Sequence, residues 1–91
     1  MAVFYRHYKD RYYQLVGEAL DTTDDSLVVV YRTLYPCEYS LFTRPKEHFF
    51  GTVRLADGTT TLRFTPIADA DLPPDARAHV LQELPLLHPA K

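Results

Sequence analysis

Tyrosines and cationic side chains alternate in two short runs of this 91-residue chain, and these residues are the first candidates for binding a ligand. With one further arginine from a later strand-like run, the set consists of Tyr5, Arg6, His7, Tyr8, Tyr31, Arg32 and Arg44. An arginine beside an aromatic ring can bind a carboxylate or phosphate, or stack on a nucleic-acid base. We therefore expect these seven residues to form a ligand-binding face, for which a peptide, a small anion or a nucleic-acid segment is a candidate ligand.

The same residues also have a purely structural interpretation. Tyrosines of a small sheet often pack in its core, and the stems of arginines can lie across their rings. The arginine charges would then pair with acidic side chains such as Glu18, Asp24 or Asp25. Exposure separates the two interpretations, because a binding face must be contiguous and open to solvent.

A small enzyme is the less favoured hypothesis. His7 has a side chain whose pKa lies near neutrality, and it could act as an acid–base group with Glu47 and His48. No pair of histidines has the spacing of a known metal motif, and the single cysteine, Cys37, excludes a zinc site built from thiolates. We predict no catalytic residue, no metal and no cofactor.

Length and charge limit the remaining classes of function. Ninety-one residues correspond to one small domain. A net charge of −2 argues against bulk nonspecific binding of nucleic acid, for which basic domains are typical. No apolar run approaches the roughly 18 residues that span a bilayer, and the N-terminus has no signal-peptide pattern. We expect a cytoplasmic protein that does not enter a membrane.

Strand-prone runs separated by turn residues predict a mainly β protein. The runs cover residues 4–8, 12–20, 26–35, 40–44, 52–56 and 60–64, with a single helical turn over 46–51. Asp57-Gly58 predicts a hairpin, Gly17 predicts a bulge, and Pro66 is expected to end the sheet. We predict a small five-stranded barrel as the domain formed by residues 1–67.

The C-terminal part, residues 68–91, has a different pattern and is predicted to be an extension with one helix over about 74–84. Prolines at its start are tolerated in a first helical turn, and apolar residues follow at helical spacing. So short a helix must dock on another surface to persist. It would lie on the barrel or on a second copy of the chain, which makes an oligomeric scaffold, such as a homodimer, the alternative function.

The motifs taken together resemble a bacterial family, the domain of unknown function family 1653. The matching segments are Tyr5-Arg6-His7-Tyr8-Lys9, Tyr12-Tyr13, Val29-Val30-Tyr31-Arg32, Leu34-Tyr35, Arg44-Pro45, Glu47 with Phe49, and Arg63-Phe64. The resemblance covers about Tyr5 to Ile67 and implies a small all-β, SH3-like domain, with no established activity or cofactor. The chain has Asp10 where the family usually has glycine and Phe42 where it usually has tryptophan.

Overall fold

A computed structural model describes residues 3–82, which form a mainly β structure with few helical residues. The strands are β1 (Phe4–His7), β2 (Arg11–Asp21), β3 (Ser26–Thr33), β4 (Phe42–Pro45), β5 (Thr52–Arg54), β6 (Thr60–Leu62) and β7 (Phe64–Ile67). The helical elements are α1 (Lys46–Phe49), a 3₁₀ turn (Asp69–Asp71) and α2 (Pro74–Arg77). No helix within this part of the chain has the length and apolar character needed to cross a membrane.

Five strands form one antiparallel sheet in the order β4-β3-β2-β1-β7, and β5 and β6 form a separate hairpin. The prediction of a mainly β fold is confirmed. The two edge strands, β4 and β7, do not pair with each other, so the sheet is open where a closed barrel was expected. The SH3-like classification stays a prediction.

Three local signals in the sequence are confirmed by the structure. Gly58 lies in the turn between β5 and β6 with a φ of 89°, a conformation that glycine adopts at little cost. The pairing of β2 with β3 shifts register between Leu15 and Gly17, which is the predicted bulge. The helical turn before Gly51 is also present, and a side chain at Gly51 would collide with the carbonyl oxygen of Glu47 at 2.7 Å.

Pro66 does not end the sheet as predicted. It lies inside β7 and faces Tyr5 of β1. Because β7 is an edge strand, the missing N–H of proline can point away from the sheet without breaking a ladder. The prediction was wrong because the sequence does not reveal which strands lie at the edge.

The sheet has an aromatic core on its first face. This first cluster consists of Tyr5, Val29, Tyr31, Phe49 and Phe64, with Tyr13, Leu15 and Phe42 packed against it. Phe49 of α1 and Phe64 of β7 stack with ring centroids 4.2 Å apart and planes within 10°. The short helix and the edge strand are thereby joined over the middle of the sheet.

The second face is covered by the C-terminal segment, residues 68–82. Its buried residues Leu72 and Ala76 pack with Leu34, and Phe4, Tyr12, Ile67 and Val80 surround them. The segment therefore packs directly on the strands. The division into a domain and an extension at residue 67 stays a prediction.

The C-terminal helix is much shorter than predicted. α2 covers four residues, Pro74–Arg77. The amides of His79 and Val80 then donate to carbonyls three residues back, and the helix does not continue. Leu81 then forms two hydrogen bonds to the side chain of Gln14 on β2. Such a tertiary contact can override a weak helical preference. Residues 83 and 84, the end of the predicted helix, lie outside the described residues.

Replacing Phe49 by alanine should lower the free energy of unfolding by about 3–5 kcal/mol, because the ring is 0% exposed and its removal leaves a cavity. The neighbouring Phe50, which is 42% exposed, provides the matched control, and its alanine variant should lose no more than about 1 kcal/mol. Urea unfolding followed by circular dichroism measures both. Equal losses would show that the core is not built around Phe49.

Asp10 has a left-handed backbone with a φ of 71°, at the position where the resembled family usually has glycine. Asp10→Ala and Asp10→Gly both remove the exposed ion pair with Arg6. The difference in stability between the two variants therefore measures only the cost of the left-handed backbone at this position. The glycine variant should be more stable than the alanine variant by about 1 kcal/mol, because alanine retains the steric cost of positive φ. Thermal unfolding of the two variants tests this, and equal stability would contradict it.

Candidate ligand-binding site

The seven residues predicted to bind a ligand do not share one surface. Tyr5 and Tyr31 are only 4% and 7% exposed and belong to the first cluster. Their rings form edge-to-face or tilted contacts with Phe49, with centroids 5.2 and 5.6 Å away. Tyr5 and Tyr31 therefore occupy the core, as the structural interpretation of the motif expected.

Arg6 and Arg32 are directed to other parts of the molecule. Arg6 is exposed and pairs with Asp10 of the adjacent turn at 2.7 Å. Arg32 donates its Nε–H to the main-chain oxygen of His79 and an Nη1–H to that of Ser40. The expected pairing of arginines with Glu18 is not seen either, since Glu18 pairs with Lys46.

Of the remaining three predicted residues, His7 and Arg44 contact Phe64, and Tyr8 packs against His7. The ring of His7 lies 4.9 Å from Phe64 and 4.5 Å from Tyr8, measured between centroids. The Cζ of Arg44 lies 5.6 Å from the centroid of Phe64. Arg44 thus reaches from one edge strand to a ring on the other, across the gap that keeps the sheet open.

Arg63 is a further member of this group and was not among the predicted site residues. It directly precedes Phe64, between β6 and β7. Its main chain is held on both sides, because its N–H donates to Gly51 and its carbonyl oxygen accepts from the N–H of Tyr8, each at 3.0 Å. The only sequence signal for it was its place in the motif Arg63-Phe64. We call His7, Tyr8, Arg44 and Arg63 the cationic cluster.

The two arginines of the cationic cluster have no acidic partner within residues 3–82. The ion pairs there join Arg6 to Asp10, Lys46 to Glu18 and Arg77 to Asp69. In addition, the Nε atoms of both Arg44 and Arg63 are buried and have no hydrogen-bond acceptor among the described residues. A buried donor without a partner costs free energy, roughly 1–3 kcal/mol. The cationic cluster is therefore suited to accept a negatively charged group.

His7 responds to this environment. Its pKa is lowered below the ordinary value, first because partial burial disfavours the charged ring, and then because Arg44, Arg63 and Lys9 repel a further positive charge. The Nδ1 of His7 accepts the main-chain N–H of Lys9 at 3.1 Å, which fixes the ring. An anion bound at the cationic cluster would offset the repulsion between these cations and protonated His7, and so raise the pKa of His7.

The residues proposed for a small enzyme are not brought together. Glu47 and His48 line a groove of about 660 Å³ beside α1, whereas His7 lines a different groove of about 280 Å³ between β1 and the β5–β6 hairpin. No group of three metal-ligating side chains occurs in the described part of the chain. The geometry gives no support to catalysis by these three residues.

Comparison with known proteins agrees with the motifs. The family model described as protein of unknown function (DUF1653) matches residues 3–66. The crystal structure of a DUF1653 family protein from Bordetella bronchiseptica is similar to this chain, with a TM-score of 0.66 and 32% sequence identity over 74% of this chain and 86% of that one. No curated protein matches. The chain therefore belongs to the DUF1653 family of proteins of unknown function.

Proposed function

We propose that this protein is a non-enzymatic binding module that takes an oxyanion, a carboxylate or a phosphate, at the cationic cluster. The observation that supports this most is that Arg44 and Arg63 lie beside His7 with no carboxylate partner in the described residues. We further expect the protein to act in the cytoplasm, with an SH3-like sheet as its scaffold.

Three other arginines differ from Arg44 and Arg63 in having acceptors for their N–H groups. Arg6 and Arg77 pair with carboxylates, and Arg32 binds two main-chain oxygens. Gathering unpaired cations in a half-buried place raises the energy of the protein, since each charge repels the others. An oxyanion would remove that repulsion and give the guanidinium groups the planar acceptor that they bind best.

Aromatic rings give the cationic cluster a second kind of contact. Tyr8 is 38% exposed, and Lys9 places its Nζ 5.9 Å from the centroid of that ring. A ligand that carries its charge on an apolar or planar body could therefore rest on Tyr8 while the arginines hold the charged group. Only one ring of the cluster is open in this way, which favours a small anion over a strand of stacked bases.

The alternative, an oligomeric scaffold joined through the C-terminal helix, is less well supported. α2 is a single turn, and its buried residue Ala76 already packs against Leu34 of the same chain. Within Pro74–Arg77, the described helix, no other large apolar side chain could pack on a neighbour.

Binding can be measured by isothermal titration calorimetry with inorganic phosphate and with succinate as separate probes, which distinguishes the two anion types. Arg44→Gln and Arg63→Gln should each weaken binding by about tenfold or more, because each removes a charge-assisted hydrogen bond. Arg54→Gln is the matched control, since Arg54 is an exposed arginine on β5 outside the cluster. Equal effects of all three variants, or no binding of either probe, would contradict the proposal.

His7 gives a pH-dependent test. Because its pKa in the folded protein lies below the unfolded value of 6.5, the folded state binds fewer protons. The free energy of unfolding should therefore decrease as the pH falls through 6.5 toward the lowered pKa. Arg44→Gln should raise the pKa of His7 and reduce this acid destabilisation.

Proton NMR of the His7 ring across a pH series measures that pKa directly, and saturating phosphate should raise it as well. Arg54→Gln should leave it unchanged. A pKa of His7 that responds neither to Arg44→Gln nor to phosphate would show that the cations do not act on the ring as described.

A further inference from the structure

The hairpin of β2 and β3 extends beyond the first cluster and carries two uncovered leucines. Leu20 and Leu27 stand directly opposite each other in the pairing of the two strands, so their side chains lie side by side on one face. That face is the first one, because Leu27 alternates along β3 with the buried Val29 and Tyr31. Leu20 is 54% exposed and Leu27 is 50% exposed. The first face thus continues past its core as an open apolar surface.

A groove between this surface and α1 is lined by a third exposed apolar side chain. Leu27 and Phe50 line the same groove of about 660 Å³, together with Pro45, the last residue of β4. Phe50 is 42% exposed although the adjacent Phe49 is fully buried. The volume lies in the range of ligand sites in proteins, roughly 300–1,000 Å³. Because large apolar side chains that are exposed together mark interaction surfaces, the groove has the size and the lining of a site for an apolar side chain.

Carboxylates stand at the rim of the groove. Asp24 contributes one from the turn between β2 and β3, and Glu47 contributes another from α1. Among residues 3–82, neither takes part in an ion pair, whereas Lys46 at the same rim pairs with Glu18 at 2.7 Å. His48 is the other basic group that lines the groove. The rim therefore offers two negative charges to a partner that carries positive ones.

We propose that this groove binds a segment of another polypeptide in which large apolar side chains alternate with lysine or arginine. An apolar side chain of the segment enters between Leu27 and Phe50, and the flanking cations pair with Asp24 and Glu47. The sign of the rim selects the partner, because like charges at an interface cost free energy whereas opposite charges speed association and fix the orientation. Residues 18–25 contain four acidic residues and no basic one, so they extend the negative charge along the hairpin.

A second copy of the chain suits the groove less well than a basic segment. In a two-fold dimer the same patch of both copies meets, so the two acidic rims would approach each other. Repulsion between the carboxylates of Asp24 and Glu47 would oppose the gain from covering Leu20, Leu27 and Phe50. The partner is therefore a different polypeptide.

The groove and the cationic cluster bind ligands of opposite charge at different places. The cationic cluster lies around Phe64, and none of its four members is among the residues that line the groove. Phosphate binding at the cationic cluster should therefore be the same in every groove variant. Loss of peptide binding with phosphate binding intact, or the reverse, distinguishes failure of one proposal from failure of the other.

The test is an NMR titration of the isotope-labelled full chain with a hexapeptide of alternating leucine and lysine, blocked at both ends. Saturable shifts should be confined to the surroundings of Leu20, Leu27 and Phe50, and affinity should fall as salt is added. A peptide with glutamate in place of lysine, and one with serine in place of leucine, should each bind at least about tenfold more weakly. Equal affinity for the lysine and glutamate peptides, or binding of neither, would overturn the proposal.

Leu27→Ser tests the apolar contact in the protein. It should weaken binding of the lysine peptide at least about fivefold, because it removes apolar surface that the peptide covers. Leu62→Ser is the matched control, since Leu62 is an exposed leucine on β6 outside the groove, and it should leave the affinity unchanged. Equal affinities of the two variants would contradict the assigned place of binding.

A double variant, Asp24→Asn with Glu47→Gln, tests the rim. It should weaken binding about threefold or more, because it removes two exposed ion pairs with the peptide. Asparagine can still accept the N–H of Ser26, which Asp24 accepts at 3.0 Å, so the turn is retained. Glu38→Gln removes an exposed carboxylate outside the groove and should change nothing. Equal losses from the double variant and the control would show that the rim does not select the partner.

Dilution of the protein without peptide distinguishes a second copy from a foreign partner. The NMR signals of Leu20, Leu27 and Phe50 should not change with protein concentration. Signals that shift on dilution would identify a second copy of the chain as the occupant of the groove, and this result would overturn the proposal.

Discussion

The stacking of Phe49 on Phe64 is the contact on which the rest of the structure depends. It joins α1, which follows one edge strand, to β7, which is the other edge strand. Offset stacking of two buried rings combines a large apolar area with a preferred geometry, so it fixes both distance and orientation. The sheet can remain open at its edges because these rings, rather than main-chain hydrogen bonds, hold the two ends near each other.

The same ring positions the groups that could bind an anion. His7 and Arg44 approach Phe64 from different strands, and Arg63 is its neighbour in the chain. An arginine over an aromatic ring gains from the electrons of the ring and leaves its outer N–H groups free. Core packing and the arrangement of the cationic cluster are therefore two consequences of one aromatic residue.

Much of the fold could be predicted from the sequence, because its signals are local. Asp57-Gly58 and the bulge at Gly17 each follow from one residue's backbone preference. The length of the C-terminal helix could not be predicted, since a distant side chain, Gln14, captures the main chain beyond α2. The candidate site was only partly predicted. Aromatic residues on both faces of β1 and β2 hid which side of each strand is buried. Arg63 lies between β6 and β7, outside any strand pattern.

The family match covers the strands of the sheet up to Pro66 but not the segment that packs on its second face. It covers residues 3–66, which include the whole cationic cluster and also Gln14 and Arg32. The segment bound by Gln14 and Arg32 lies beyond the matched region. The matched part of the chain thus contains the whole cationic cluster, and the segment that packs on the second face lies outside the match.

The most direct test of the central claim is an NMR titration that follows the arginine side-chain Nε–H signals as inorganic phosphate is added. Anion binding at the cationic cluster predicts saturable shifts of Arg44 and Arg63, whose Nε donors have no acceptor within residues 3–82, and no shift of Arg54. Unchanged signals for Arg44 and Arg63, or shifts of equal size in all three arginines, would contradict the claim.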